Sequence, residues 1–227
     1  METIGKIAPM TSDMPPESRR PIKARQQVWV HRLAHVLVGA GVTPNQMSAA
    51  SVVAAALGAV AYGGAAWAPS AGAAYLVAAA VFIQLRLLAN VLDGLMAIEE
   101  GKKTPTGVLY NEFPDRIADT VLLVATGYAS GWPVLGWLAA VLALATAYVR
   151  AFGGSLGYEQ DFSGPMAKQH RMFTLTVGSL GAASAVVLAS WQTILAATLG
   201  VIVLGCAATL FRRTQHLARR LRGGSHD

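Results

Sequence analysis

Hydrophobic positions in this chain do not alternate with polar ones; they run. Six long apolar stretches, near 44–67, 70–98, 108–130, 132–157, 171–189 and 191–212, follow one another with short polar breaks. Each approaches or exceeds the roughly 20 residues a helix needs to cross a bilayer. All are rich in Ala, Val, Leu and Gly, and small side chains let helices pack closely in lipid. No period-two alternation competes with helix. The pattern predicts an all-α integral membrane protein, a six-helix transmembrane bundle over 44–212. Ahead of it, residues 25–38 read as a short amphipathic helix on the membrane surface. Residues 1–24 carry Pro15, Pro16, Pro21 and mixed charges around no apolar core. They are expected to be a flexible cytoplasmic N-terminus and not a cleavable signal. Residues 213–227 form a basic cytoplasmic tail.

Composition strengthens this picture. Apolar residues make up 54% of the 227 and charged residues 13%, about half the charge of an ordinary soluble domain. The net charge of +6 would suit nucleic acid if it were spread over one face. Instead Lys6, Arg19, Arg20, Lys23, Arg25 and Arg32 lie at one end of the chain and Arg212, Arg213, Arg219, Arg220 and Arg222 at the other. Basic flanks beside apolar spans face anionic lipid and set orientation, so membrane lipid and not nucleic acid is the expected partner. The breaks at 66–70, 130–133 and 190–192 contain no Lys or Arg, whereas 101–107 and 158–170 carry Lys102, Lys103 and Lys168. Every second connection is basic, which puts both termini and the longer loops in the cytoplasm. Cys206 is the only cysteine, which excludes an intrachain disulfide and argues against a thiolate metal site; it reads as packing. His31 and His35 have helical spacing but no third ligand nearby.

Polar residues inside the spans carry the chemistry, because a charge in hydrocarbon costs at least about 2.5–3.5 kcal/mol. The second span contains Arg86, Asn90 and Asp93; the third contains Asn111, Glu112, Asp115, Arg116 and Asp119. At 3.6 residues per turn, Arg86, Asn90, Asp93 and Ala97 share one helix face, and Asn111, Asp115 and Asp119 share another. The two spans are consecutive, joined by a short loop, and are expected to be antiparallel neighbours whose polar faces meet at the cytoplasmic end. Carboxylates gathered there need a cation between them. A hard divalent ion, Mg²⁺ or Mn²⁺, suits oxygen ligands. The competing reading is that Arg86 and Arg116 neutralise the acids as structural pairs.

The segment Asn90-Val91-Leu92-Asp93-Gly94-Leu95-Met96-Ala97, followed by Asp115 and Asp119, resembles the signature of the CDP-alcohol phosphatidyltransferase family. That signature reads D-x-x-D-G-x-x-A-R, a short gap, then G-x-x-x-D-x-x-x-D. Thr43-Pro44-Asn45 also looks like that family's opening of its first membrane helix. Three positions depart from the pattern: Asn90 for the first Asp, Ile98 for the Arg, and Asn111 for the second Gly. Asn90 keeps a carbonyl ligand without the charge, and Glu112 is placed to restore that charge. The variant resembles an active branch of the family.

The resemblance implies a six-helix fold behind a surface helix, a homodimer, and transfer of a phosphatidyl group from a CDP-linked lipid donor to a small alcohol acceptor, with release of CMP. It implies one or two ions of Mg²⁺ or Mn²⁺ held by Asp93, Asp115 and Asp119, with Asn90 and Glu112 as further ligands. It also implies nucleotide contacts at Asp93, Gly94, Ala97 and Asn111, catalytic roles for Asp93 and Asp115, and Asp119 as the base. Basic residues at Arg150, Lys168 and Arg171 would hold the acceptor, favouring a phosphorylated one such as glycerol 3-phosphate; positive-inside anchoring accounts for Lys168 and Arg171 equally well. Two other classes compete: a small ion transporter, which predicts acids spread through the membrane depth, and a catalytically silent scaffold of the same family.

Overall fold

The computed structural model describes residues 27–99, 107–188 and 190–223. Apart from short turns and the longer connection 156–167, the described residues are helical: α1 (Val28–Gly39), α2 (Pro44–Trp67), α3 (Gly72–Glu99), α4 (Gly107–Ala129), α5 (Pro133–Ser155), α6 (Lys168–Ser184) and α7 (Trp191–Gly223), with single 3₁₀ turns at Pro69–Ala71 and Val186–Leu188. The expected 1–24 segment, Lys102 and Lys103 lie outside the described residues.

Local chemistry explains where the helices begin. Thr43 and Gln46 form a reciprocal capping box: the Gln46 N–H donates to Thr43 Oγ1 at 3.3 Å and the Thr43 N–H to Gln46 Oε1 at 2.9 Å, satisfying two groups the helix end would otherwise leave open. Pro44 and Pro133 take the first positions of α2 and α5, where proline's missing N–H costs nothing. Pro114 lies inside α4 and removes one helical hydrogen bond there. The turn into α5 passes through Gly131 at φ 77°, a left-handed conformation that glycine adopts without strain.

The six long helices close into a ring, each packed on two neighbours in the order α2, α3, α6, α7, α5, α4 and back to α2. Here the structure corrects an expectation from sequence. α3 and α4, consecutive in the chain, are not packed neighbours; they touch only slightly, with α2 between them on one side. Their polar faces meet across the ring interior, where side chains span the gap. α1 rests on α3, with Val30 and Ala34 buried against Leu92, Leu95 and Met96.

Among the described residues four helices are long and apolar enough to cross a membrane: α2, the 69–97 stretch that takes in most of α3, α5 and α7. The other two are more charged for their length or shorter: α4 carries Glu112, Asp115, Arg116 and Asp119, and the 17-residue α6 carries Lys168 and Arg171. Large apolar side chains such as Val60, Leu85, Val141, Leu144, Val177, Leu204 and Phe211 point outward, as in a multi-pass membrane protein. Trp67, Trp132 and Trp137 are exposed near helix ends, as aromatic side chains at a membrane interface are, whereas Trp191 is buried in the core. α7 has 33 residues, about 50 Å of helix. It therefore runs without a break into the basic tail that begins at 213.

Candidate functional site

The chain's up-and-down course brings the start of α2, the end of α3, the start of α4, the end of α5 and the start of α6 to one end of the ring. There Arg86 is fully buried. Its Nη2 donates to Asp119 Oδ1 at 2.6 Å and to Asp115 Oδ1 and the Asp115 carbonyl, each at 3.3 Å. Asn90 donates from Nδ2 to Asp115 Oδ1 at 2.6 Å. Lys168 is paired with Asp115 Oδ2, and Arg171 with Asp119 Oδ2. Arg171 is 1% exposed and also donates to the Met166 carbonyl at 3.4 Å, with Cys206 Sγ 3.8 Å away. Glu112 is paired with Arg150, and its other oxygen lies 3.6 Å from Arg116. Arg150 reaches Gln160 Oε1 at 3.1 Å and lies over the Phe162 ring, 5.3 Å from its centroid.

Asp93 differs from the other acids. It is 5% exposed, and its Oδ2 accepts a hydrogen bond from Ser48 of α2 at 2.8 Å, while its Oδ1 is buried with no hydrogen-bond partner. Asp93 is within electrostatic reach of Asp115 and Lys168. Arg86 also keeps two buried N–H positions unpartnered, and Arg171 keeps one. The cluster therefore has donors and an acceptor to spare, an arrangement that a buried polar network tolerates poorly unless a ligand uses it.

The competing reading of Arg86 as a structural partner of the acids thus holds in this geometry, and the cations expected to take an acceptor, Arg150, Lys168 and Arg171, rest on Glu112, Asp115 and Asp119. Among the described residues no three His, Cys, Asp or Glu side chains are arranged to hold a metal ion. The donor chemistry still fits a hard divalent cation: carboxylates on Asp93, Asp115 and Asp119, a carbonyl on Asn90, and a buried Asp93 oxygen without a partner. Arg86, Lys168 and Arg171 hold the oxygens that such an ion would share. Gly94 and Ala97 lie half-buried on α3 beside Asp93; the side chains of Ile98 and Asn111 lie outside the described set.

A second polar group, missed in the sequence, braces this end. In the connection from α5 to α6, Asp161 Oδ1 accepts the Ser163 N–H at 2.7 Å and Oδ2 lies 3.1 Å from His216 Nδ1 on α7. Arg213 donates from Nε to the Ser163 carbonyl at 2.9 Å and from Nη1 to the Thr146 carbonyl at 2.8 Å. Arg220 donates to the Glu159 carbonyl at 3.1 Å, and the Met166 N–H to Thr209 Oγ1 at 2.9 Å. Gly164, at φ 117°, passes so near Thr209 that a Cβ would lie 2.5 Å from its methyl. Partial burial alone would raise the Asp161 carboxyl, but hydrogen bonds from Ser163 and the contact with His216 outweigh it and hold the group below the usual carboxylate range. The loop, so tied, determines where Lys168 and Arg171 enter the ring.

No family model matches the sequence, and no curated protein matches it. Solved structures do. Crystal structures of Mycobacterium tuberculosis phosphatidylinositol phosphate synthase (PgsA1) share the fold. The complex with manganese and citrate aligns with a TM-score of 0.69 at 19% identity, covering 83% of this chain and 88% of that one. The form with CDP-DAG bound gives 0.66 at 19% identity, covering 83% and 92%. The apo form gives 0.65 at 21% identity, covering 81% and 93%.

Proposed function

We propose that this chain is a metal-dependent CDP-alcohol phosphatidyltransferase, a multi-pass membrane enzyme of phospholipid synthesis with α2–α7 all crossing the bilayer and with the charged end and both termini in the cytoplasm. The observation that carries this reading is that Asn90 and Arg86 of α3 hold Asp115 and Asp119 of α4 at one end of a ring, with the buried Asp93 of α3 in electrostatic reach of Asp115, within a fold shared with a synthase whose structures hold manganese in one case and CDP-DAG in another. The transporter alternative predicts acids spread through the membrane depth; these gather at one end.

In the reaction, the acceptor hydroxyl oxygen forms a bond to the lipid-bearing phosphorus of the CDP-linked donor. The bond from that phosphorus to the bridging oxygen breaks, CMP departs with the electron pair, and the hydroxyl proton passes to a carboxylate. Bound at Asp93, Asp115 and Asp119, with Asn90 contributing a carbonyl, a Mg²⁺ or Mn²⁺ ion would supply charge neutralisation for the pyrophosphate and the departing CMP. The protein's own side chains orient these groups. Arg86 and Arg171 grip Asp119 from both oxygens, which fixes the orientation of the carboxylate assigned here as base. Five cations, Arg86, Arg116, Arg150, Lys168 and Arg171, surround four acids, Asp93, Glu112, Asp115 and Asp119. That surplus favours an anionic, phosphorylated acceptor over a neutral one.

The test is purified protein with CDP-diacylglycerol, Mn²⁺ or Mg²⁺ and a panel of alcohols with and without a phosphate, followed by CMP release. The expected outcome is CMP only with metal present, loss on chelation, and preference for a phosphorylated acceptor. No CMP with any acceptor would leave the silent scaffold as the reading to adopt.

A further inference from the structure

Ser48 lies one turn into α2, a helix made mostly of Ala, Val and Gly. Hydroxyls buried in helices ordinarily donate back to the carbonyl four residues earlier. Here Thr126, Ser179, Thr198 and Thr209 do so at 2.7–2.8 Å. Ser48 does not follow them: its oxygen is 3.3 Å from the Pro44 carbonyl and 2.8 Å from Asp93 Oδ2. A hydroxyl has one hydrogen to give, and a carboxylate is the stronger acceptor, so Ser48 donates its hydrogen bond to Asp93. That bond occupies Oδ2 and leaves Oδ1, among the described residues, as the only buried carboxylate oxygen of the cluster without a partner. The capping box at Thr43 and Gln46 fixes the start of α2, and with it the position from which Ser48 donates.

On the functional reading above, we propose that Ser48 is a positioning residue that sets the rotation of the Asp93 carboxylate, so that Oδ1 is presented as a ligand for the divalent ion. With its hydrogen bond given to Asp93, the hydroxyl would act on the ion through that carboxylate, as outer-shell hydrogen bonds do in other metal sites. Ser51 provides the control. It sits on the same helix, is fully buried, and its hydroxyl has no hydrogen-bond partner.

The experiment is a Mn²⁺ titration of the full-length protein in detergent, without nucleotide, read by the loss of the free-ion electron paramagnetic resonance signal. Ser48→Ala should weaken binding about ten-fold, Ser48→Thr should stay within about three-fold of the wild type because it retains the donor, and Ser51→Ala should bind as the wild type does. In the CMP-release assay Ser48→Ala should require about ten-fold more Mn²⁺ for half-maximal rate yet approach the wild-type rate at saturation. Ser48→Ala binding as tightly as the wild type overturns the proposal, and so does an equal loss in Ser51→Ala, which would assign the effect to packing. A wild-type protein that binds no Mn²⁺ overturns the enzymatic reading as well, and so separates the two failures.

Discussion

At the turn between α4 and α5, two helix backbones approach so closely that a Cβ on Gly127 would lie 2.7 Å from the Cα of Gly136. At the opposite end of α4, the same helix is held to its surroundings by side chains: Arg86 and Arg171 on Asp119, Asn90 and Lys168 on Asp115, Arg150 on Glu112. One end is a contact of small residues with no room for anything between; the other is a gap filled by charge. In lipid there is little hydrophobic force between helices, so close packing must bring them together. The charged end cannot pack in that way, because α3 and α4 stand apart across the ring. The difference separates what builds the bundle from what the bundle can do: electrostatic partners can be exchanged for a ligand's, while touching backbones cannot.

Breaking a pair at the charged end should have the largest effect. Arg171→Leu leaves Asp119 with one of its two buried partners gone and is expected to cost about 3–5 kcal/mol of stability, read as a lower melting temperature in detergent. Adding Asp119→Leu should abolish CMP release and recover little of that stability, since the fully buried Arg86 then loses its 2.6 Å partner and keeps only Asp115 at 3.3 Å. Asp115→Asn should lower CMP release about 100-fold, a loss of about 2.7 kcal/mol in the transition state, with a smaller change in melting temperature than Arg171→Leu.

The packed end should respond differently. Gly136→Val sets a branched side chain against the backbone of Gly127 and against the Leu123 carbonyl, whose oxygen is only 2.8 Å from where the new Cβ must sit. A loss of about 1–3 kcal/mol is expected, and no second substitution that alters charge should restore it. The smallest effect belongs to the brace at Asp161. Its carboxyl is held low in the folded protein, so the stability it contributes is fully present above the ordinary carboxylate pKa of about 4 and is lost as pH falls through the lower folded value. Asp161→Asn should therefore lower the melting temperature modestly at pH 7, by the equivalent of about 1 kcal/mol or less for a pair this exposed, and the difference from the wild type should vanish in strong acid.

Much of this molecule is legible in the order of its residues. α2 spans 44–67 as its apolar run predicts, and α4 and α5 fall within about two residues of their runs. Helical spacing alone places Arg86, Asn90 and Asp93 on one face and Asp115 and Asp119 on another. Other features were not legible. α6 begins at Lys168, three residues before its predicted start, because the tied loop ahead of it delivers the lysine into the ring. Ser48 carries no local sign of its role; a serine among alanines reads as a small packing residue until a helix 45 positions away supplies its acceptor. The pairing of Asp161 with His216 closes a separation of 55 residues, beyond the reach of any local pattern.

Read by itself, the amino-acid order determined that the chain forms apolar helices, which of them carry charge, and on which face, because helical periodicity and the cost of a charge in lipid act within a few turns. Only the tertiary structure decided that α2 lies between α3 and α4, which cation rests on which acid, and that one oxygen of Asp93 is held while the other is left without a partner. Those outcomes depend on which helices become neighbours, and helix order around a ring is settled by packing between distant segments.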